Sequence, residues 1–242
     1  ATEDRVTGAL DIEKALTRGE KAFQPGLLAS ANRGFLYIDE INLLEDHIID
    51  LLLDVAQSGI NVVERDGLSV RHPSRFVLIG SGNPEEGDLR PQLLDRFGLS
   101  VDVGNPTDIN ERIEVLKRRD SYERDPQQFR RNWSGEEDKI RKSIIYARDC
   151  LDDITISDNA MRDMAHLCEK LGADGLRGEL TLLKASRAHA ALHAQERQIM
   201  EVTREDIRSV APMALQHRLR RDPLDESGGQ TRVNRVMDSV FD

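Results

Sequence analysis

The chain has 242 residues, with 34 Lys and Arg against 44 Asp and Glu, and its formal net charge is −10. This length allows one large domain or two ordinary ones, and the acidic balance disfavours wholesale nucleic-acid binding, which usually needs a basic face. No segment approaches the roughly 18 to 20 uninterrupted apolar residues of a membrane span. The two cysteines, Cys150 and Cys168, lack the spacing of a zinc site or a disulfide framework and are interpreted as buried thiols.

Two apolar runs in the first half of the chain predict neighbouring parallel strands. The runs are Phe35–Ile38 and Phe76–Ile79, and each is continuously apolar, as is typical of parallel strands covered on both faces. Between them, apolar residues recur at helical spacing over residues 44–55, and Gly59 is the expected helix terminator. The order of strand, helix and strand predicts an α/β crossover.

A tight hairpin is predicted ahead of the second strand. Residues 61–65 and 68–71 read as strands, and they flank Asp66-Gly67, a strong sequence pattern for a two-residue turn. The hairpin is therefore expected to project between the predicted helix and the second core strand.

The second half of the chain is predicted to be helical, because apolar residues recur at helical spacing from Thr107 onward. Thr107, Ser157 and Thr203 are expected N-caps, and Asp206 completes a capping-box pattern after Thr203.

The predicted fold class is α/β, with a parallel-sheet core followed by a helical domain. The core is expected over residues 1–120 and the helical domain over residues 138–242. A linker is expected over residues 121–137, where Pro126, Gly135 and a run of charges interrupt the helical periodicity.

Two adjacent carboxylates, Asp39 and Glu40, follow the first predicted strand. Because open α/β sheets bind ligands at the carboxyl ends of their strands, Asp39 is placed to hold a nucleotide-bound Mg²⁺ and Glu40 to polarise an attacking water. The alternative is that the pair merely leaves the strand and caps the following helix, whose first turn favours negative charge.

The second predicted strand ends in small residues and one amide, Gly80-Ser81-Gly82-Asn83-Pro84. Asn83 offers both a donor and an acceptor to a water or a γ-phosphate. It would equally satisfy backbone groups of the turn at the Asn-Pro step. The occurrence of both strand ends in one chain favours the nucleotide site.

Two arginines are further candidates. Arg96 ends a predicted short helix over residues 89–97, and Arg177 opens a helix of the second half. A guanidinium is permanently charged and binds two oxygens at once, so either arginine suits a phosphate. The alternatives are a surface pair between Asp95 and Arg96 and a surface or capping role for Arg177.

These segments occur in the order found in AAA+ ATPases. The strand ending at Asp39-Glu40 resembles Walker B, and the strand ending at Asn83 resembles sensor 1. Residues 93–97 resemble the arginine-finger segment, and residues 175–178 resemble sensor 2.

A finer resemblance is to the I subunits of magnesium chelatases. Residues 42–47 and 80–97 carry it, and it runs over almost the whole chain. The hairpin around Asp66-Gly67 resembles the insertion placed before sensor 1 in this group, and residues 8–16 resemble part of an insertion in helix 2.

The resemblance implies a motor that hydrolyses ATP with Mg²⁺ and forms a ring with copies of itself, a hexamer. With the D subunit and the porphyrin-binding H subunit, it would insert Mg²⁺ into protoporphyrin IX, in a bacterial cytoplasm or a plastid stroma. No nucleic-acid partner and no membrane span are implied. The implied roles are Mg·ATP carboxylate acting through water for Asp39, water-polarising base for Glu40, sensor 1 for Asn83, finger toward a neighbour's nucleotide for Arg96, and sensor 2 for Arg177.

The sequence departs from the family pattern in one respect, since no GxxxxGK[ST] occurs in its 242 residues. That loop supplies the backbone donors, the lysine and the hydroxyl that hold the phosphates and Mg²⁺. Family members carry it upstream of the matched region. An N-terminal part with the first core strand is therefore expected to precede this chain, and tight ATP binding is expected to need it.

Other functions remain open at this point. A cobalt chelatase motor or a MoxR-like chaperone would share these motifs and differ in its partners. A non-catalytic AAA+ assembly subunit, such as the D component, is an alternative of a different class. The intact set of Asp39, Glu40, Asn83, Arg96 and Arg177 disfavours it, because the nucleotide residues of such subunits are often degenerate.

Overall fold

The computed structural model describes residues 3–18, 22–65, 68–87, 89–173, 175–219 and 228–241. It divides into two compact units, residues 1–97 and residues 98–242. This boundary lies upstream of the linker predicted over residues 121–137.

The first unit combines short helices with paired strands. Its elements in chain order are α1 (Glu3–Thr7), β1 (Gly8–Leu10), α2 (Ile12–Arg18), β2 (Phe23–Pro25), α3 (Leu27–Ser30), β3 (Phe35–Ile38), α4 (Asp46–Ser58), β4 (Ile60–Arg65), β5 (Leu68–Pro73), β6 (Val77–Gly80) and α5 (Pro91–Leu94). Strands β1 and β2 pair antiparallel, as do β4 and β5.

The predicted crossover is confirmed. Strands β3 and β6 pair in parallel, with Phe35 opposite Val77 and Ile38 opposite Gly80, and α4 lies between them in sequence. The strands of the predicted hairpin are also present as β4 and β5. Its turn residues, Asp66 and Gly67, lie outside the described residues.

The prediction that these parallel strands are covered on both faces is wrong for the described residues. On one face, Leu36, Ile38 and Leu78 pack on the core of the unit. On the other face, alternate residues are 43% to 72% exposed; they are Phe35, Tyr37, Val77 and Ile79. Successive strand residues point to opposite faces, so a sheet that is packed on one side leaves every second apolar residue exposed.

Helix α4 supplies much of that core. Its buried residues recur on one helical face and are Ile48, Ile49, Leu52, Leu53 and Val55. Burying each such side chain contributes about 1.5 to 3 kcal/mol before entropy is counted. Gly59 ends the helix with a φ of +70° and donates its N–H to the Val55 carbonyl, which confirms the predicted terminator.

The second unit is helical, as predicted. Its elements are α6 (Ile109–Arg124), α7 (Pro126–Cys150), α8 (Asp158–Leu171), α9 (Arg177–Arg197), α10 (Arg204–Leu215) and α11 (Gly229–Phe241). Helices α8 to α11 and the end of α7 enclose one apolar core. None of the helices in the described parts of the chain is both long enough and apolar enough to cross a membrane.

The residues predicted as a linker are helical instead. Asp125 accepts the Gln128 N–H at 2.8 Å, and Pro126 occupies the first turn of α7. Proline is tolerated there because that N–H has no partner within the helix. The sequence Asp125-Pro126 therefore separates two helices at a single residue rather than opening a loop.

The predicted caps of the helical unit were correct at two of three positions. Ser157 caps α8, and Thr203 forms a reciprocal capping box with Asp206 at the start of α10. Helix α6 is capped by Asp108, whose side chain accepts two backbone N–H groups, rather than by the neighbouring Thr107.

Both cysteines are free and buried, as predicted. Burial raises the pKa of the Cys168 thiol to about 12; the negative charge of Glu179 adds to this effect and the positive charge of Arg218 opposes it. A thiol of this kind is unreactive at neutral pH.

Candidate active site

The candidate site lies where β3 and β6 end. Beyond the strands, the pairing continues through Ser81, whose N–H donates to the Ile38 carbonyl at 3.0 Å and whose carbonyl accepts the Ile41 N–H at 2.8 Å. These contacts bring Asp39 and Glu40 beside Ser81. The structure thus places the two predicted carboxylates at the edge that receives ligands in open α/β sheets.

Asp39 is held by two hydroxyl groups. Ser81 Oγ donates to Asp39 Oδ1 at 2.5 Å, and Tyr37 Oη donates to the same oxygen at 3.0 Å. The hydrogen bond from Ser81, followed by that from Tyr37, lowers the pKa of Asp39 below its usual value. The carboxylate is therefore ionised at neutral pH, while the residue stays exposed.

Glu40 has an unusual backbone conformation, with φ +52° and ψ +51° in the left-handed region. Such a conformation in a residue other than glycine costs of order 1 to 3 kcal/mol and is concentrated at functional sites. The Glu40 N–H donates to Ser81 Oγ at 3.2 Å. Its side chain makes no capping hydrogen bond to the 3-10 turn that follows, so capping does not account for this carboxylate.

Asn83 lies on the loop after β6, where it caps the following turn through its oxygen and keeps its amide nitrogen available. Its Oδ1 accepts the Glu85 N–H at 3.1 Å and caps the turn Pro84–Glu86, as in the structural alternative. Its Nδ2 donates to none of the described residues, and the side chain is exposed. The amide is therefore fixed at its oxygen and available at its nitrogen.

Three residues that sequence analysis did not select complete this edge. Ser81 and Tyr37 hold Asp39, and Asn42 donates from Nδ2 to the carbonyls of Asn83 at 3.4 Å and Gly87 at 3.0 Å. Asn42 thus ties the loop after β3 to the loop after β6. For Ser81 the sequence offered one clue, a hydroxyl residue between two glycines at the end of the second strand, Gly80-Ser81-Gly82. It offered no comparable clue for Tyr37 or Asn42.

Arg96 forms ion pairs with two carboxylates of α4. Its Nη1 donates to Asp50 Oδ1 at 2.6 Å and its Nη2 pairs with Asp54 Oδ1. Asp50 and Asp54 are one helical turn apart, so each carboxylate can bind one of the two terminal nitrogens of the same guanidinium. The side chain of Arg96 is 22% exposed. The ion pairs seen for Arg96 are these, rather than the pair with Asp95 that the sequence suggested.

Arg177 is the first residue of α9 and belongs to the second unit. Its carbonyl accepts the hydroxyl of Thr181 at 2.8 Å, and its side chain is exposed. Gly178, which follows it, is buried, and a Cβ there would lie 3.4 Å from Leu215 Cδ2. The glycine thus lets the start of α9 pack closely on α10.

Family models match both units of this chain. A model described as "Magnesium chelatase, subunit ChlI" matches residues 12–93, and one described as "AAA lid domain" matches residues 161–238. The first range includes the candidate edge, and the second includes Arg177.

Curated relatives match almost every residue of the chain. The "Magnesium-chelatase 38 kDa subunit" of Cereibacter sphaeroides is 64% identical over 99% of this chain and 71% of its own length. The corresponding subunit of Rhodobacter capsulatus is 62% identical over 99% of this chain and 67% of its own. The "Magnesium-chelatase subunit ChlI, chloroplastic" of Nicotiana tabacum is 52% identical over 100% of this chain and 56% of its own.

A solved structure shares the fold at low sequence identity. The crystal structure of a proposed ATPase from Cytophaga hutchinsonii matches 98% of this chain and 73% of its own, with a TM-score of 0.68 and 16% identity. With the identity of the curated relatives, this likeness confirms the predicted AAA+ architecture of an α/β core with a parallel sheet and a helical lid domain. The chain belongs to the magnesium chelatase ChlI family.

Proposed function

We propose that this chain is the ATP-hydrolysing part of a magnesium chelatase I subunit. The observation that supports the proposal is that Asp39 and Glu40 follow one strand, and Asn83 follows the other, of two paired parallel strands, with Asp39 kept ionised by two hydroxyls. The relatives are named as magnesium-chelatase subunits, so magnesium chelatase is the enzyme in which we propose that this motor works.

The residues at this edge fit a Mg²⁺ ion that arrives with ATP. Asp39 is a hard oxygen donor, and both hydroxyls bind one oxygen, so about half of the roughly four acceptor positions of the carboxylate remain for a metal-bound water. In this proposal Asp39 holds the ion through that water. The ion, when bound, neutralises charge on the phosphate oxygens.

Glu40 is proposed to polarise the attacking water. Its carboxylate is exposed and has no capping role, so it can accept a proton from a water at the end of the triphosphate. Asn83 is proposed to donate from Nδ2 to that water or to a γ-phosphate oxygen. Its Oδ1 is already bound by the Glu85 N–H, which presents the amide nitrogen for this role.

The two arginines are proposed to act from different subunits. Arg96 is held by α4 of its own unit rather than by Asp39 or Glu40, as expected of a residue that serves the nucleotide of a neighbour. Head-to-tail contacts in a ring, proposed to be a hexamer, would bring one Arg96 to each junction. Arg177 is proposed to contact ATP of its own subunit when the helical domain closes.

At the level of the whole protein, ATP hydrolysis is proposed to drive insertion of Mg²⁺ into protoporphyrin IX. The D and H subunits are the proposed partners, and a bacterial cytoplasm or a plastid stroma is the proposed location.

The test is reconstitution of the full-length protein with D and H subunits, ATP, Mg²⁺ and protoporphyrin IX. We expect a magnesium porphyrin to form, detected by its absorbance, only when all components are present. A parallel reaction with Co²⁺ serves as the control. Insertion of Co²⁺ alone would indicate a cobalt chelatase motor, ATP hydrolysis that supports neither insertion would indicate a chaperone, and absence of hydrolysis would indicate an assembly subunit.

A further inference from the structure

Ser81 lies at the centre of the hydrogen bonds that shape the candidate edge. Its Oγ donates to Asp39 Oδ1 at 2.5 Å, accepts the Glu40 N–H at 3.2 Å, and lies 3.2 Å from Tyr37 Oη. One hydroxyl thus contacts the side chain of the first carboxylate and the backbone of the second.

The hydrogen-bond inventory of a serine hydroxyl fixes the direction of these bonds. A hydroxyl has one proton to donate and two lone pairs to accept with, and an ionised carboxylate only accepts. The Ser81 proton must therefore go to Asp39. The Glu40 N–H uses one lone pair of Ser81, and the Tyr37 proton, shared between Asp39 and Ser81, uses the other.

These bonds affect two conformations that hydrolysis would require, the rotamer of Asp39 and the backbone of Glu40. The bond to Asp39 Oδ1 fixes the rotamer of the carboxylate proposed to hold the metal-bound water. The bond from the Glu40 N–H helps to keep Glu40 at φ +52°, a conformation that this residue would not favour by itself. Loss of this hydroxyl would leave Asp39 with the Tyr37 bond alone and would remove the side-chain acceptor of the Glu40 N–H.

We propose that Ser81 is a positioning residue for ATP hydrolysis, which sets the geometry of Asp39 and Glu40 relative to each other, and that Tyr37 assists it. This inference rests on the proposed ATPase function. It differs from a structural role, because the backbone of Ser81 makes its own bonds to Ile38 and Ile41, and these do not involve the hydroxyl.

The test uses Ser81→Ala and Ser81→Thr in the full-length protein, with Ser30→Ala as the matched control. Ser30 is exposed in the same unit, and among the described residues its hydroxyl donates to the Gly26 carbonyl alone, at 3.3 Å. For Ser81→Ala we expect kcat to fall about 10- to 100-fold and the Mg²⁺ concentration for half-maximal activity to rise, as for other groups that orient a metal ligand. Ser81→Thr, which keeps the hydroxyl, should restore most of the loss, and Tyr37→Phe should cause a smaller one.

A double-mutant cycle separates positioning from general damage. If Ser81 acts partly through Asp39, then Ser81→Ala should cost clearly less in an Asp39→Asn background than in wild type, measured as single-turnover hydrolysis, and only the part that acts through Glu40 should remain. Independent, additive losses would overturn the inference. The inference would also be overturned if the kcat and the Mg²⁺ requirement of Ser81→Ala stayed within about twofold of wild type, because a substitution that disturbs no positioning has a small effect. It would be overturned as well if Ser81→Thr failed to restore the lost activity.

The outcomes also distinguish this inference from the proposed function. A wild-type protein without ATPase activity, or a fully active Asp39→Asn, would contradict the proposed function itself. An active wild type, an inactive Asp39→Asn and a normal Ser81→Ala would contradict only the role of Ser81.

Discussion

Asp39 and Asp206 both have lowered pKa values but lie in opposite surroundings, and the contrast separates a proposed ligand site from a structural one. Asp39 is exposed at the end of β3, and its two hydroxyl partners share a single oxygen. Asp206 lies in the first turn of α10, and its side chain is only 1% exposed. Burial by itself raises the pKa of Asp206, but hydrogen bonds from His189 and Thr203 and the charge of Arg197 outweigh it.

The two carboxylates differ in how completely their oxygens are used. Asp206 Oδ1 accepts from His189 at 2.7 Å and from Arg197 at 2.8 Å, and its Oδ2 accepts from the N–H and hydroxyl of Thr203 at 2.9 and 2.7 Å. These four bonds fill roughly all the acceptor positions of a carboxylate. Asp206 is thus saturated and ties α9 to α10, whereas Asp39 keeps positions for a ligand.

The largest expected effect concerns Arg96. We predict that Arg96→Ala lowers ATPase activity of the full-length protein on the order of 10³-fold or more, by analogy with other arginine fingers. Mixed with an equally inactive Glu40→Gln protein, it should regain partial activity, because some junctions then combine an intact Glu40 with an intact Arg96. Steady-state phosphate release at several mixing ratios provides the measurement.

Two controls define that experiment. Co-assembly has to be shown by size-exclusion chromatography, and activity should disappear under conditions that dissociate the ring. Full activity of Arg96→Ala alone, or no recovery in proven mixed rings, would mean that Arg96 serves only its ion pairs with Asp50 and Asp54.

The next effect is that of Glu40→Gln. Because the amide has the same shape but cannot accept a proton as the carboxylate does, turnover should fall about 10²- to 10⁴-fold. Binding of ATP, measured by calorimetry, should stay close to wild type. Glu45→Gln is the matched control, since Glu45 is also exposed, precedes α4 and makes no capping bond with its side chain. Near-normal turnover of Glu40→Gln would remove Glu40 from the role of base.

Exchanging the two aspartates for alanine tests the comparison directly. Asp206→Ala leaves His189 and Arg197 facing an empty buried position, and the loss of one partner of a buried ion pair costs about 3 to 5 kcal/mol of unfolding free energy. Asp39→Ala should leave the urea unfolding midpoint unchanged but remove ATPase activity. If Asp39→Ala instead destabilises the protein, its hydroxyl partners hold the fold rather than the site.

The sequence predicted which polar residues follow β3 and β6 better than it predicted the packing around them. Asp39 and Glu40 follow β3 and Asn83 follows β6, and the carboxyl ends of paired parallel strands lie at one edge, which is a property of the strand pattern. The sequence did not predict the contact of Ser81 with Asp39 or that of Arg96 with Asp50. These residues are more than 40 positions apart, and such contacts produce no local sequence pattern. Residues 121–137 were predicted as a linker partly from Pro126, but proline also occurs in the first turn of a helix, as it does here in α7.

The smallest expected effect is the acid dependence of Asp206. Its pKa in the folded state lies below the ordinary value of 3.8, so the unfolded chain takes up the proton first as the pH falls. The stabilisation from this carboxylate is therefore complete above the unfolded pKa and is lost as the pH falls through the folded pKa. Asp206→Asn removes that titration.

The stability difference between wild type and Asp206→Asn should accordingly be largest near neutral pH and shrink on acidification. Urea unfolding of both proteins between about pH 6 and pH 3 measures it, with the free energy difference compared at each pH. Asp39→Asn is the contrasting variant. The pKa of Asp39 is also lowered, but this carboxylate is exposed and bound through one oxygen. The stability difference between wild type and Asp39→Asn should therefore change much less with pH. A difference for Asp206→Asn that is constant with pH would show that shape and hydrogen bonding, rather than the ionised carboxylate, join α9 to α10.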